Sequence, residues 1–167
     1  EQTDRVINFC RKNELPLASH DDTLPDHVEE AVRNGVTISE FPTTLDAAKA
    51  AKRAGLAVTM GAPNLVRGGS HSGNVSAMEV AADGCLDCLS SDYVPASLLY
   101  GAWLLHQKAG WSIPQAVKTV TENPANCSSL SDRGRLEPGL RADVLRIRVV
   151  NDRPVVRSVW VAGARVF

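Results

Sequence analysis

The sequence predicts an α/β fold in which four parallel strands alternate with helices, half of an eight-stranded β/α barrel, followed by a small antiparallel β segment. Two observations carry the prediction. Through residue 130, short apolar runs bounded by turn residues alternate with stretches of helical spacing, the arrangement of a parallel sheet with crossover helices. Beyond residue 130 the pattern changes to period-two alternation, broken by turns at Asn151-Asp152 and Ala162-Gly163. Residues 1–130 are therefore expected to form the half-barrel and residues 131–167 the β segment.

In chain order, residues 3–12 place Val6, Ile7 and Cys10 at helical spacing, and Leu15-Pro16-Leu17-Ala18 follows as a short strand. Leu24-Pro25 opens a helix that runs through Val32 and stops at Asn34-Gly35. A strand over 36–39 precedes an alanine-rich helix over 45–54, with Thr43 or Thr44 as its N-cap and Gly55 at its end. A third strand covers 56–60. Residues 61–74, rich in Gly, Ser and Asn, read as one long loop of the kind that carries function. A helix over 75–82, a strand over 86–90 and helices over 95–108 and 113–121 complete the half-barrel, with Ser112 capping the last and Pro114 in its first turn. The tail alternates over 142–149 and 155–161. The chain opens inside a helical pattern without an initiator Met, as a piece of a longer protein would.

Composition narrows the function classes. A formal net charge of -1 gives no bulk attraction to nucleic acid or membrane. No apolar run approaches the roughly 20 residues of a membrane helix. The four cysteines are irregularly spaced, unlike a secreted disulfide framework, so a reducing cytoplasm is expected. Cys85 and Cys88 form a CxxC inside an apolar stretch and read as packing residues.

In a β/α barrel the loops after the strands form one shared mouth, and catalytic groups sit there. The polar residues at those positions are His20, Asp21 and Asp22; Glu40; Asn64, Arg67, Ser70 and His71; and Asp92 and Tyr93. Each strand thus delivers a metal-capable or phosphate-capable group to the same end. Plainer roles exist for several of them: Asp22 as the N-cap of the next helix, His20 as a structural histidine, Asp92 as a cap, Glu40 and Arg67 as solvated loop charges.

The strings Ser19-His20-Asp21-Asp22, Glu40-Phe41-Pro42-Thr43-Thr44, Gly61-Ala62-Pro63-Asn64 and Ser91-Asp92-Tyr93-Val94-Pro95 resemble the alpha-D-ribose 1-methylphosphonate 5-triphosphate diphosphatases, within the amidohydrolase superfamily. The likeness continues through Asn123-Pro124-Ala125, Asp132-Arg133-Gly134 and Gly139-Leu140-Arg141-Ala142-Asp143. It implies the C-terminal half of a TIM-like (β/α)8 metal-dependent hydrolase barrel, strands five to eight, with a tail from the small β-sandwich of that superfamily. It also implies a divalent metal, zinc foremost. The superfamily's ligands are a His-x-His on the first strand, a carboxylated Lys on the fourth, His on the fifth and sixth and Asp on the eighth. His20 matches the fifth-strand ligand and Asp92 the eighth, while Glu40 stands where a sixth-strand His is usual. Asp92 would also be the general base, and Asn64, Arg67, Ser70, His71 and Tyr93 would hold a phosphorylated ribose whose triphosphate is cleaved to release pyrophosphate in phosphonate use. The first-strand pair and the lysine have no counterpart here, so the chain alone is expected to be inactive and to associate with a missing N-terminal half or with another copy. Two rival readings are hydrolysis of cyclic amides or deamination of bases on the same scaffold, and a non-catalytic half-barrel that serves in binding or assembly.

Overall fold

The computed structural model describes residues 2–70 and 72–167. A first helix, α1 (Gln2–Lys12), precedes three strand–helix units: β1 (Ala18–His20) and α2 (Pro25–Arg33), β2 (Ile38–Glu40) and α3 (Leu45–Arg53), and β3 (Ala57–Gly61) with α4 (Ala62–Arg67) and α5 (Ala77–Ala82). β4 (Cys88–Ser90) is followed by α6 (Ser97–Ala109), α7 (Ile113–Lys118) and α8 (Glu122–Cys127). The tail holds β5 (Val144–Val150), β6 (Arg153–Val161) and β7 (Ala164–Arg165). β1 to β4 form one parallel sheet in sequential order, and β5 to β7 a separate antiparallel sheet. The expected fold class is thus observed. Among the described residues no helix is long and apolar enough to cross a membrane.

One capping device repeats along the half-barrel. After α2, α3 and α5 the chain passes through a glycine at φ 74 to 81°, Gly35, Gly55 or Gly84, where a side chain would be strained. The next residue donates back into the helix: Val36 to Ala31 O, Leu56 to Ala51 O and Cys85 to Val80 O, each at 2.9 to 3.0 Å. These are Schellman ends, and their buried apolar residues seal each helix against the sheet. They also explain why the strands begin later than the apolar runs suggest. Val36, Leu56 and Cys85 are apolar because they close helices, and the ladders start one to three residues on.

The alternation of strand side chains divides the sheet into two faces. Ser39, Val58, Met60 and Leu89 are buried beneath the helices, in a core with Val28, Ala51, Val80 and Leu105. Ala18 and His20 are exposed on the opposite face, and Ile38, Ala57 and Thr59 are half-buried there. α1 buries no residue, leaving Val6 and Phe9 exposed.

Three expectations need correction. Residues 61–74 are not one loop: α4 starts at Ala62 with Gly61 as its N-cap, takes Pro63 in its first turn and closes at Gly68, φ 84°, whose N–H bonds Asn64 O and Leu65 O. Glycine at both ends hid a helix that is short but complete. α8 was not expected from the sequence; its Pro124 sits in the first turn, where the missing N–H costs nothing. Asp22 does not cap α2; Leu24 holds that position without a side-chain bond, and Pro25 starts the helix. Asp22 is buried instead and ties β1 to β2, with Oδ2 accepting from Ser19 Oγ at 2.5 Å and Ser39 Oγ at 2.9 Å.

The tail docks on α6. A two-residue turn, Asn151-Asp152, with φ 49° and 58°, has the type I′ twist that joins β5 to β6. Asp152 O accepts from Trp103 Nε1 at 2.9 Å and from Gln107 Nε2 at 3.3 Å, and the Arg153 guanidinium lies over the Tyr100 ring at 5.4 Å.

Candidate active site

The C-terminal ends of β1, β2, β3 and β4 open into one pocket of about 390 Å³. Its lining includes His20, Asp21, Asn64, Arg67, Ser70, Asp92 and Tyr93, seven of the residues expected at the mouth. Glu40 sits beside it on β2, and His71 lies outside the described residues.

His20 and Glu40 are register partners at the ends of adjacent strands. His20 Nε2 stands 4.0 Å from Glu40 Oε2, while Nδ1 faces Asp21 Oδ2 at 3.2 Å. The Phe41 ring packs edge-on against the imidazole, with centroids 5.5 Å apart at 80°. The His20 side chain thus has Asp21, Glu40 and Phe41 as neighbours and is otherwise open to the pocket.

The turns at these ends share an unusual backbone. Asp21, Phe41 and Asp92 follow β1, β2 and β4 at φ 59°, 56° and 48°, the left-handed region. For Asp it is tolerated; for a bulky residue such as Phe41 it is an outlier. The N–H of Asp21 bonds Glu40 O at 3.0 Å and that of Phe41 bonds Thr59 O at 2.9 Å, so each ladder extends into the strained residue. Strain of this kind collects at functional sites. Behind them, Thr43 Oγ1 donates to Thr23 Oγ1 at 2.8 Å and Thr44 Oγ1 to Thr23 O at 2.7 Å, lacing the β1 turn to the β2 turn.

Across the pocket, Arg67 at the end of α4 donates from Nη1 to Tyr93 Oη at 3.2 Å. Asn64 is partly committed, because Oδ1 accepts from the N–H of Ala77 at 2.9 Å and so caps α5. Ser70 Oγ accepts from the N–H of Ser72 at 3.1 Å. The Asp92 carboxylate leans over Gly61 at the end of β3, with Oδ2 3.6 Å from where a Cβ would stand. Its own N–H bonds Ser90 Oγ at 3.2 Å, which shapes the turn. Phe41 and the lacing threonines were not singled out from the sequence as a site. Only a backbone conformation or a contact across strands distinguishes them.

The three expected metal ligands do not converge. Among the described residues no group of three or more His, Cys, Asp or Glu side chains is arranged to hold a metal ion. The reason is spacing: β3 separates β2 from β4, and neighbouring strands stand about 4.8 Å apart. His20 and Glu40 end the adjacent strands β1 and β2, while Asp92 follows β4, two strands from β2. A zinc site takes about four donors, so the residues described here do not by themselves fit a complete one.

The profile of the Amidohydrolase family matches residues 2–166, and the chain belongs to that family. Over 164 residues it is 49% identical to the alpha-D-ribose 1-methylphosphonate 5-triphosphate diphosphatase of Escherichia coli (strain K12), across 97% of this chain and 43% of that protein. A shorter stretch of 65 residues is 40% identical to imidazolonepropionase of Deinococcus deserti, across 34% of this chain and 16% of that one. Among solved structures, an amidohydrolase from Thermotoga maritima MSB8 matches with a TM-score of 0.72 at 22% identity, over 91% of this chain and 43% of its own. A prolidase complexed with N-methylphosphonate-L-proline matches with a TM-score of 0.69 at 17% identity, over 98% of this chain and 48% of its own. These two likenesses bear on the fold alone. The chain spans less than half the length of the relatives it matches.

Proposed function

We propose that this chain is the C-terminal half of a hydrolase of phosphonate metabolism that cleaves the triphosphate of ribose 1-methylphosphonate 5-triphosphate and releases pyrophosphate. The identity of 49% to the Escherichia coli diphosphatase, running through 97% of the chain, carries this reading. The pocket supports it chemically. Arg67 offers a planar set of donors to phosphate oxygens, with the Tyr93 hydroxyl and Ser70 beside it. Asp92 also lines the pocket, where its carboxylate would accept the proton of the attacking water. His20 stands with Nδ1 3.2 Å from Asp21 Oδ2 and Nε2 4.0 Å from Glu40 Oε2.

Zinc is the cofactor proposed for the assembled site. His20, Glu40 and Asp92 would be this chain's donors, and the others would come from a complementary half-barrel. That half is also the proposed partner, in a cytoplasmic enzyme without nucleic-acid or membrane partners. The exposed Val6 and Phe9 of α1 and the thinly covered inner face of the sheet support this need for cover.

A chimera tests the reading. Residues 2–166 replace the matching segment of the Escherichia coli diphosphatase, and pyrophosphate release from the triphosphate is measured. Activity is expected, and Asp92→Asn should lower kcat by about 10²–10⁴-fold with the fold intact by circular dichroism. Near-parental turnover by Asp92→Asn, or a folded and metal-loaded chimera that releases no pyrophosphate, would sink the proposal.

A further inference from the structure

We infer that Cys88 and Cys127 form a thiol modification site, at which a small disulfide such as oxidised glutathione cross-links β4 to α8. The sequence draws the eye to Cys85 and Cys88, but the fold separates them. Cys85 closes α5, its Sγ turned toward Asp83 O at 3.8 Å and Asp83 Oδ2 at 3.5 Å. Cys88 is the first residue of β4, three residues on.

Cys88 shares a face with its register partner Thr59, and there its Sγ meets Cys127 Sγ at 3.7 Å. The approach is built into the backbone. The N–H of Leu89 bonds Thr119 O at 2.9 Å, just before α8, and Asn123 Nδ2, within α8, donates to Asp87 O at 2.8 Å. Two hydrogen bonds thus hold α8 against β4 with the sulfurs in contact. A disulfide needs a separation of about 2 Å, which side-chain rotation can supply when the backbones are already adjacent.

The two thiols differ in access. Cys127 is half-buried and Cys88 is buried. Cys127 therefore reacts first: its thiolate attacks one sulfur of oxidised glutathione and expels a glutathione thiolate, which takes up a proton. Cys88 then gives up its proton and attacks the Cys127 sulfur of the mixed disulfide, forming the internal bond and releasing the second glutathione thiol. Two protein thiols are oxidised and one glutathione disulfide is reduced. Burial, reinforced by the neighbouring Cys127, pushes the Cys88 thiol well above the ordinary range. The second step is accordingly the slower one, and it quickens as pH rises.

The test exposes the native chain to oxidised glutathione, then reads intact mass, free thiols and a non-reducing peptide map. The mass should fall by two hydrogens, and titratable thiols should drop from four to two. One cross-linked peptide pair should contain positions 88 and 127, and a dithiol reductant should reverse it. Cys88→Ser should instead trap glutathione on Cys127, and Cys85→Ser should leave the cross-link unchanged. Four free thiols after prolonged exposure, a Cys85–Cys88 link, or a glutathione adduct on Cys127 of the parent that never resolves would each overturn the inference. The peptide map of the parent decides the matter even if a variant fails to fold.

Discussion

Replacing Asp22 probes how β1 and β2 are clamped behind His20 and Glu40. The carboxylate is 6% exposed, and its Oδ2 receives both the Ser19 and the Ser39 hydroxyl. Those serines are register partners, and Ser39 is fully buried. Asp22→Ala deletes the shared acceptor and strands the Ser39 hydroxyl in the interior. Hydrogen bonds to a charged group contribute about 1.5–3 kcal/mol, and an orphaned buried donor costs about 1–3 kcal/mol. With one bond buried and the other half-buried, a loss of about 3 kcal/mol is expected for Asp22→Ala. Asp22→Asn keeps an acceptor at the same place and should cost about half as much. Urea unfolding of the parent, Asp22→Ala, Ser39→Ala and the double variant reads the effect. The double-mutant coupling should be at least about 1 kcal/mol, because one removed bond is common to both single variants. An Asp22→Ala protein within about 0.5 kcal/mol of the parent, or additivity with Ser39→Ala, would refute the clamp.

Arg67→Ala in the chimera should raise KM for the triphosphate about 10- to 100-fold while kcat changes little, since it removes a charge-assisted contact and not the proton acceptor; steady-state kinetics check this. Gly101→Ala places a Cβ 2.9 Å from Ala62 Cβ, so α6 and α4 must separate. Overpacking of about 1–3 kcal/mol exceeds the helix gain of about 1 kcal/mol, so net destabilisation is expected in urea unfolding. Glu79 accepts from the Ser76 hydroxyl and backbone N–H, which hold its carboxyl below the ordinary glutamate value. Its folded value being depressed, this capping contribution is present above the unfolded value and disappears as pH falls through the folded one. Amide exchange at the start of α5 should therefore quicken in acid, and Glu79→Gln should remove that pH dependence.

The sequence was most legible where one interaction determines a residue type. Gly35 and Gly55 mark helix ends because no other residue takes their φ cheaply, and Ser112 caps α7 as its position before Pro114 suggests. The candidate site was legible as a set of strand-end positions, since alternation and turn chemistry fix where each strand stops. It was not legible as a geometry. Whether Asp22 caps a helix or bridges two serines depends on Ser39, seventeen residues away. Phe41 reads as an ordinary apolar neighbour of Pro42, and its left-handed backbone emerges only from the ladder bond to Thr59. Arg67 and Tyr93 meet because the ends of α4 and β4 open on the same side, a consequence of topology.

The docking of Trp103 on Asp152 gives the chain an internal fluorophore for its own tail. The indole N–H of a residue on α6 is bonded to a carbonyl of the β5–β6 turn. Detachment of the tail sheet would break that bond and hydrate the ring while the four-stranded sheet stays folded. Emission from Trp103 should then shift to the red ahead of the loss of helical ellipticity. With Trp111 and Trp160 replaced by Phe, a single wavelength scan during denaturation would resolve whether the two sheets unfold together or one after the other.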